Sequence, residues 1–299
     1  MKFWPELEPL DIYEDMLGTK IDKLYPEDLA PLLYIRHRLF GIKRGQKFDH
    51  AVLDEAQDFS PFQLSVLNQL TSANSFTILG DIAQGIHENE GINGWQEFEG
   101  VFDSRTFAYF QMDKSYRSTQ EIIEFANCIL KQVEQQPTLA KPVFRSGDPV
   151  EVHSVAEQEQ MDMIVEWVAK MKEKQAQTLA LIGRTEQECI RIQQGIKRRG
   201  VESSLLTAND HSYKGGVSVL PVYLAKGLEF DAVLLTNVNG VNYPKDPLHT
   251  KLLYVGCTRA LHHLCLLISG ELRRYSKGKY EAVITASYER SNDYPHAVE

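Results

Sequence analysis

Short β-branched runs alternate with stretches of helical period along this chain, and that alternation predicts an α/β protein built on parallel sheets wrapped by helices. Capping residues recur just ahead of the apolar stripes, which supports the same class. The 299 residues are 43% hydrophobic and 24% charged, ordinary globular proportions. Collagen-like, low-complexity and wholly disordered chains are thereby excluded, and the length suggests two domains that each bury a core.

The elements follow in order. Residues 27–40 read as a helix, and Gly41 to Lys47 as a polar loop. Phe48 to Leu53 reads as a strand running straight into Asp54-Glu55-Ala56-Gln57-Asp58. Ser60 and Pro61 supply an N-cap and first-turn pair for a helix ending near Leu70. Ser75 to Leu79 is the next strand, ending at Gly80-Asp81. A strand is expected from Thr106 to Gln111. Ser118 with Glu121 then forms a capping box ahead of the stripe Ile122, Ile123, Ala126, Ile129, Leu130. Further strands are expected at 149–155, 178–182 and 217–222, with helices at 157–174 and 186–199. Thr185 and Glu188 form the capping box of the latter helix. Strands at 231–237 and 264–268 close the pattern, with a helix at 247–261 between them. The expected division is residues 1–104, residues 105–270 and a tail, 271–299, with no predicted structure.

Lys and Arg total 32 against 41 Asp and Glu, a net charge of −9. Such a chain does not hold duplex DNA by charge alone, although a local basic groove remains open. The clusters Arg36-His37-Arg38, Lys43-Arg44 and Lys197-Arg198-Arg199 read as solvated faces. The four cysteines form no CxxC pair, so buried thiols in a reducing compartment are expected. A zinc site made of Cys257, His262, His263 and Cys265 is disfavoured, because neighbours in a strand point to opposite faces. No apolar run reaches the roughly 18 residues of a membrane span. The start, Met1 to Glu6, lacks the apolar stretch of a signal peptide, so a cytoplasmic protein is expected.

In an open α/β sheet, ligands sit beyond the carboxyl ends of the strands. Asp54 at such an end could hold Mg²⁺, which favours carboxylate oxygens, and Glu55 could polarise an attacking water. The plainer alternative is a solvated acidic turn. Gln84 leaves the neighbouring strand end and offers a neutral amide to sense phosphate or water. Arg117 and Arg259 are candidate cations for charge developing on a γ-phosphate, where an arginine can raise the rate roughly 10³–10⁵-fold. For either arginine alone, a surface ion pair is the commoner reading.

Taken in order, these segments resemble the UvrD/Rep-like superfamily 1 DNA helicases. Asp54-Glu55-Ala56-Gln57-Asp58 resembles motif II, and Gly80-Asp81-Ile82-Ala83-Gln84 motif III. Ser115-Tyr116-Arg117-Ser118 resembles motif IV, Ala225 to Asp231 motif V, and Leu252 to Ala260 motif VI. The resemblance implies ATP and Mg²⁺ as cofactors, and P-loop (RecA-like) lobes with parallel sheets, the first incomplete and the second complete. It further implies that Asp54 serves the metal, Glu55 the attacking water, and Gln84 the coupling of γ-phosphate to nucleic acid. Tyr116 would stack on adenine, Arg117 and Arg259 would reach the γ-phosphate, Glu229 would lie near the ribose, and Lys226 and Gly227 would line the cleft.

Departures from the pattern narrow the expectation. No GxxxxGK[ST] occurs, so the chain resembles the C-terminal portion of a longer motor, or a remnant of one. It is expected to be inactive alone and to need the phosphate-loop region as a partner. Pro221 and Tyr223 stand where the family often has Thr and His. Tyr223, Thr258 and Trp95 are candidate contacts to nucleic acid or a partner, with Trp95 either a base-stacking platform or a core residue. Only Thr207 to Gly216 precedes motif V, leaving no room for the accessory domain of UvrD-type helicases. Together with Tyr223-Leu224-Ala225-Lys226-Gly227 and Gly91-Ile92-Asn93-Gly94-Trp95, this resembles the HelD branch, which acts on bacterial RNA polymerase. The expected partner is therefore single-stranded DNA or RNA polymerase. The alternatives are a non-catalytic binding module and an unrelated α/β protein.

Overall fold

Parallel strands need long crossovers, and the helices read from the sequence supply them. The computed structural model describes residues 8–43, 45, 47–86, 91–102, 107–131, 139–143, 145–208, 210 and 215–269. The chain divides into two units, Met1–Phe110 and Gln111–Glu299. The boundary expected at 104/105 and the tail 271–299 lie outside the described residues.

The first unit opens with helices α1 (Pro9–Leu17) and α2 (Pro26–Phe40), joined by a hydrogen bond from the Tyr13 hydroxyl to Asp28 Oδ1 at 2.9 Å. Strand β1 (Ala51–Leu53), helix α3 (Pro61–Asn68) and strand β2 (Phe76–Ile78) follow. The cap of α3 is as expected: Ser60 Oγ accepts from the Gln63 amide, and Gln63 Oε1 accepts from the Ser60 amide. β1 and β2 pair in parallel, with Val52 opposite Thr77. Both strands are shorter than predicted. Phe48 reaches only an isolated bridge to Thr71, and the ring of His50 is engaged by Ser75 and Thr77. Leu53, Phe76 and Ile78 pack one sheet face on a core of Ala56, Leu64, Ile92 and Phe98. Val52, pointing the other way, is 63% exposed.

The second unit runs β3 (Lys114–Ser115), α4 (Gln120–Leu130), β4 (Lys141–Pro142), β5 (Glu151–Val155), α5 (Gln160–Glu173), β6 (Thr178–Gly183) and α6 (Glu186–Lys197). It continues with β7 (Ser204–Leu205), β8 (Gly216–Pro221), β9 (Phe230–Val238), α7 (Pro247–Thr258) and β10 (Ala260–Ser269). Six strands form one parallel sheet in the order β5-β10-β9-β6-β8-β7, and β3 pairs with β4 separately. Ile164 and Val168 of α5 and Ile192 and Ile196 of α6 cover one face, packing on Leu181, Val219, Leu234 and Leu267. Gly256 of α7 lies against Leu235 on the opposite face, where an added Cβ would stand 2.7 Å from a Leu235 methyl. Burial on both faces explains why these strands read as continuous apolar runs. Among the described residues, the α/β class with parallel sheets is observed, and the six-stranded unit is consistent with a RecA-like lobe.

Three local expectations are corrected. Residues 107–113 carry no strand; pairing begins at Lys114 instead. Thr119, not Ser118, is the N-cap of α4. Ser118 Oγ donates to Ala260 O at 2.6 Å, and the Glu121 carboxylate accepts from Ser146 Oγ and the Gly147 amide, so tertiary partners replace the expected box. Helix α7 ends at Thr258 rather than 261, because Ala260 already pairs with Phe230 in β9.

All four cysteines are free thiols, three of them buried, and burial pushes the Cys189 thiol up to about 12. Cys265 faces α5 and α6 in the core, whereas Cys257 lies on α7 across the sheet. No helix among the described residues is long and apolar enough to cross a membrane.

Candidate functional site

In the first unit the acidic cluster leaves β1 through a backbone that few side chains accept. Glu55 has φ 51° and ψ 37°, the left-handed region. Its own amide donates to Asp54 Oδ1 at 2.9 Å, which orients the exposed Asp54 carboxylate. Gln57, buried at the centre, donates its side-chain amide to the Glu55 carboxylate and accepts from the Asp81 amide at 2.8 Å through Oε1. The Ala56 amide reaches Leu79 O at 2.8 Å, so the ends of both strands are tied together. This closeness requires glycine at position 80, where a Cβ would stand 2.3 Å from Gln57 Oε1. Asp81 caps the next turn, accepting from the Ala83 amide at 2.9 Å and from Gln84 Nε2 at 2.7 Å. Asp54, Glu55 and Gln84 are thus brought to one end of the two-stranded sheet. The sequence named Gln57 within its motif but assigned it nothing; the shared need of two strand ends for one amide is a tertiary fact.

In the second unit, segments far apart in sequence interlock. Arg117 Nε pairs with Glu229 Oε1 at 2.8 Å, both half-exposed. Phe230 N donates to Arg259 O at 3.0 Å, and Arg259 Nη1 donates to Leu228 O at 3.4 Å. With the Ser118–Ala260 bond, residues 117–118, 228–230 and 259–260 form one assembly. Tyr116 at its margin is 69% exposed. Lys226 and Gly227 form the turn before Glu229; Gly227 has φ +77°, and open space around its Cβ position makes conformation, not room, the reason for glycine.

Two of the expected residues sit differently from their predicted roles. Arg259 is 1% exposed, and its guanidinium also donates to Val255 O at 3.2 Å, so carbonyls of its own unit hold the side chain expected to reach outward. Thr258, expected to contact nucleic acid or a partner, is buried and donates its hydroxyl to Val255 O at 3.1 Å. Trp95 is half-buried, edge-on to Phe98 at 6.1 Å and against Gly80, which is the core alternative of the two that the sequence left open. The Tyr223 hydroxyl donates to Glu186 Oε1 at 2.7 Å; burial first, then this carboxylate, push it up to about 12.

One network was not read from sequence. The buried Glu188 carboxylate accepts from Thr236 Oγ1, Asn237 Nδ2 and the Arg184 amide at 2.6, 2.6 and 2.7 Å. Arg184 turns inward to Asn242 O and His249 Nε2, and His249 Nδ1 meets Asp246. The one sequence signal was Glu188 three residues after the Thr185 cap, where it was taken only as half of a capping box.

Residues 110–209 and 216–267 match two families, each described as UvrD-like helicase C-terminal domain. Over 103 residues the chain is 29% identical to the ATP-dependent DNA helicase Rep of Buchnera aphidicola, covering 34% of this chain and 16% of that protein. Over 211 residues it is 24% identical to the ATP-dependent DNA helicase PcrA of Leuconostoc citreum, covering 68% and 26%. A crystal structure of the C-terminal domain of a possible DNA helicase from Lactobacillus plantarum WCFS1 is 35% identical, with a TM-score of 0.44, covering 52% of this chain and 89% of that one. The chain thus spans about a sixth of the Rep relative and a quarter of the PcrA relative. Both matched segments lie in the second unit but for residue 110, and that unit is similar to UvrD-like helicase C-terminal domains.

Proposed function

We propose that this chain is the C-terminal part of a superfamily 1 motor that couples ATP hydrolysis to domain movement, in the manner of the HelD branch. The observation that carries the reading is the interlocked assembly of residues 117–118, 228–230 and 259–260, because it joins three segments of different motifs through defined hydrogen bonds. Asp54 is exposed and offers only oxygen, which fits a hard cation such as Mg²⁺. Glu55, held through Gln57, is the group for orienting water, and Gln84, held by Asp81, the group that senses the γ-phosphate. Tyr116 offers an exposed ring for adenine, Glu229 a carboxylate for the ribose, and Lys226 and Gly227 a turn that lines the nucleotide cleft. Arg117 leaves its exposed pair with Glu229 readily, since such pairs contribute little. Arg259 must exchange carbonyl partners for phosphate, which makes it the slower element of closure. The phosphate loop is supplied by the rest of the motor.

RNA polymerase is the proposed partner. The short segment before Ala225-Lys226-Gly227 and the tyrosine at 223 support this branch over a DNA-tracking one. An immunoblot of native cells, followed by capture of the protein with and without nuclease, tests the proposal. A band well above 34.1 kDa that co-purifies with polymerase regardless of nuclease is the expected result. Salt-sensitive binding to single-stranded DNA would move the partner to DNA. A native band at 34.1 kDa with no nucleotide turnover favours the second reading, a binding module, which the absence of GxxxxGK[ST] also motivates.

A further inference from the structure

The sequence offered a zinc set that the sheet separates, with Cys257 and Cys265 on opposite sides. The structure assembles a different one. Glu151 and His153 lie two apart on edge strand β5 and share a face, and Cys265 of β10 is the register partner of Glu151. One ligand atom of each, the Glu151 oxygen, the His153 nitrogen and the Cys265 sulfur, lies within 4.8 Å of the other two. Tetrahedral coordination at about 2.0–2.3 Å needs donor separations of about 3.5 Å, so rotamer adjustment of roughly 1 Å suffices.

We propose that Glu151, His153 and Cys265 form a three-ligand site for a zinc-class divalent ion, with water in the fourth position. The donor set decides the class: a thiolate with an imidazole selects zinc or cobalt and rejects magnesium and calcium. The surroundings are arranged for it. Lys170 of α5 holds Glu151 Oε1 at 2.7 Å, leaving Oε2, which stands 3.3 Å from His153 Nε2, on the side of the other ligands. A ligating carboxylate held at its second oxygen is the usual outer-shell arrangement. The bound ion would join edge strand β5 to β10, fastening the open margin of the sheet. The site is independent of the motor reading.

The test uses the full chain, stripped with chelator and titrated first with Co²⁺ and then with Zn²⁺. One Co²⁺ per chain is expected, with a thiolate-to-cobalt charge-transfer band that Zn²⁺ abolishes. Zn²⁺ at a hundredfold excess over Kd should raise Tm by about 5–10 °C. Cys265→Ala should lose the band and the Tm shift while keeping its circular dichroism, although Cys128, Cys189 and Cys257 remain. The half-exposed His153→Gln, a milder variant, should weaken Co²⁺ binding at least about tenfold. Absence of the band in the wild type, or its persistence in Cys265→Ala, overturns the proposal. Cobalt binding without the band does so equally, since it places the ion on surface carboxylates.

Discussion

The described sheet of the first unit has two strands, with one face on a small core and the other open at Val52; the second unit's sheet has six, with helices on both faces. The difference teaches how each supports its chemistry. In the first unit, Asp54, Glu55 and Gln84 are positioned by local hydrogen bonds through Gln57 and Asp81, with few buried side chains behind them. In the second, Glu229 and Arg259 adjoin β9, α7 and β10, which are mostly buried, and Arg117 after the partly exposed β3 is tied in by its pair with Glu229. Both sites are tied by polar contacts, but only the second has a large buried core behind it.

Matched core truncations should separate the two. Leu64 and Leu234 are both fully buried, and changing either to alanine should cost about 2–5 kcal/mol. Leu64→Ala is expected to leave the first unit's amides exchanging at unfolded rates while the second unit stays protected. Leu234→Ala should lower the second unit's stability without unfolding it. Hydrogen exchange read by mass spectrometry checks both, and equal protection of the two units in Leu64→Ala would break the contrast.

Polar holding also exists in the second unit, at Glu188. Glu188→Ala removes the shared acceptor of one buried donor, Thr236, which keeps Ile182 O, and of two partly buried ones, and should cost about 1–3 kcal/mol, with Glu188→Gln recovering part of it, as measured by thermal unfolding. At Asp231, burial raises the carboxyl, but the amides of Thr178 and Gln177 and the Thr178 hydroxyl outweigh it, and the group titrates below its ordinary value. A folded value below the unfolded one stabilises above the unfolded value and is lost as pH falls through the folded one. Asp231→Asn should therefore cost of order 1 kcal/mol, after solvent screening, above about pH 4, with the gap closing under more acidic conditions. Denaturant midpoints across pH measure it. The smallest effect belongs to Ser60→Ala, about 0.5–1 kcal/mol, confined to the first unit.

These contrasts also explain what the sequence could say. The doubly covered strands were legible because burial on two faces leaves an unbroken apolar run, as in Ala232 to Leu235. Ser60 and Thr185 were legible because a cap acts over three residues. Ser118 was misread for the opposite reason: its partner, Ala260, is 142 positions away, and nothing nearby betrays it. The site motifs were visible as ordered residues, but not that Arg259 would be enclosed, nor that Gln57 would bind two strand ends at once. Those depend on which loops meet, and side-chain spacing does not encode that.

The left-handed backbone at Glu55 carries a consequence for anyone breeding a hardier version of this protein. A glutamate there bears about 1 kcal/mol of conformational strain that glycine does not. Glu55→Gly should accordingly relieve that strain but leave the buried Gln57 amide without its carboxylate, so the two effects oppose each other. A library sorted by heat tolerance would therefore gain little from that glycine, and the acid persists because it fastens the amide that joins the two strand ends.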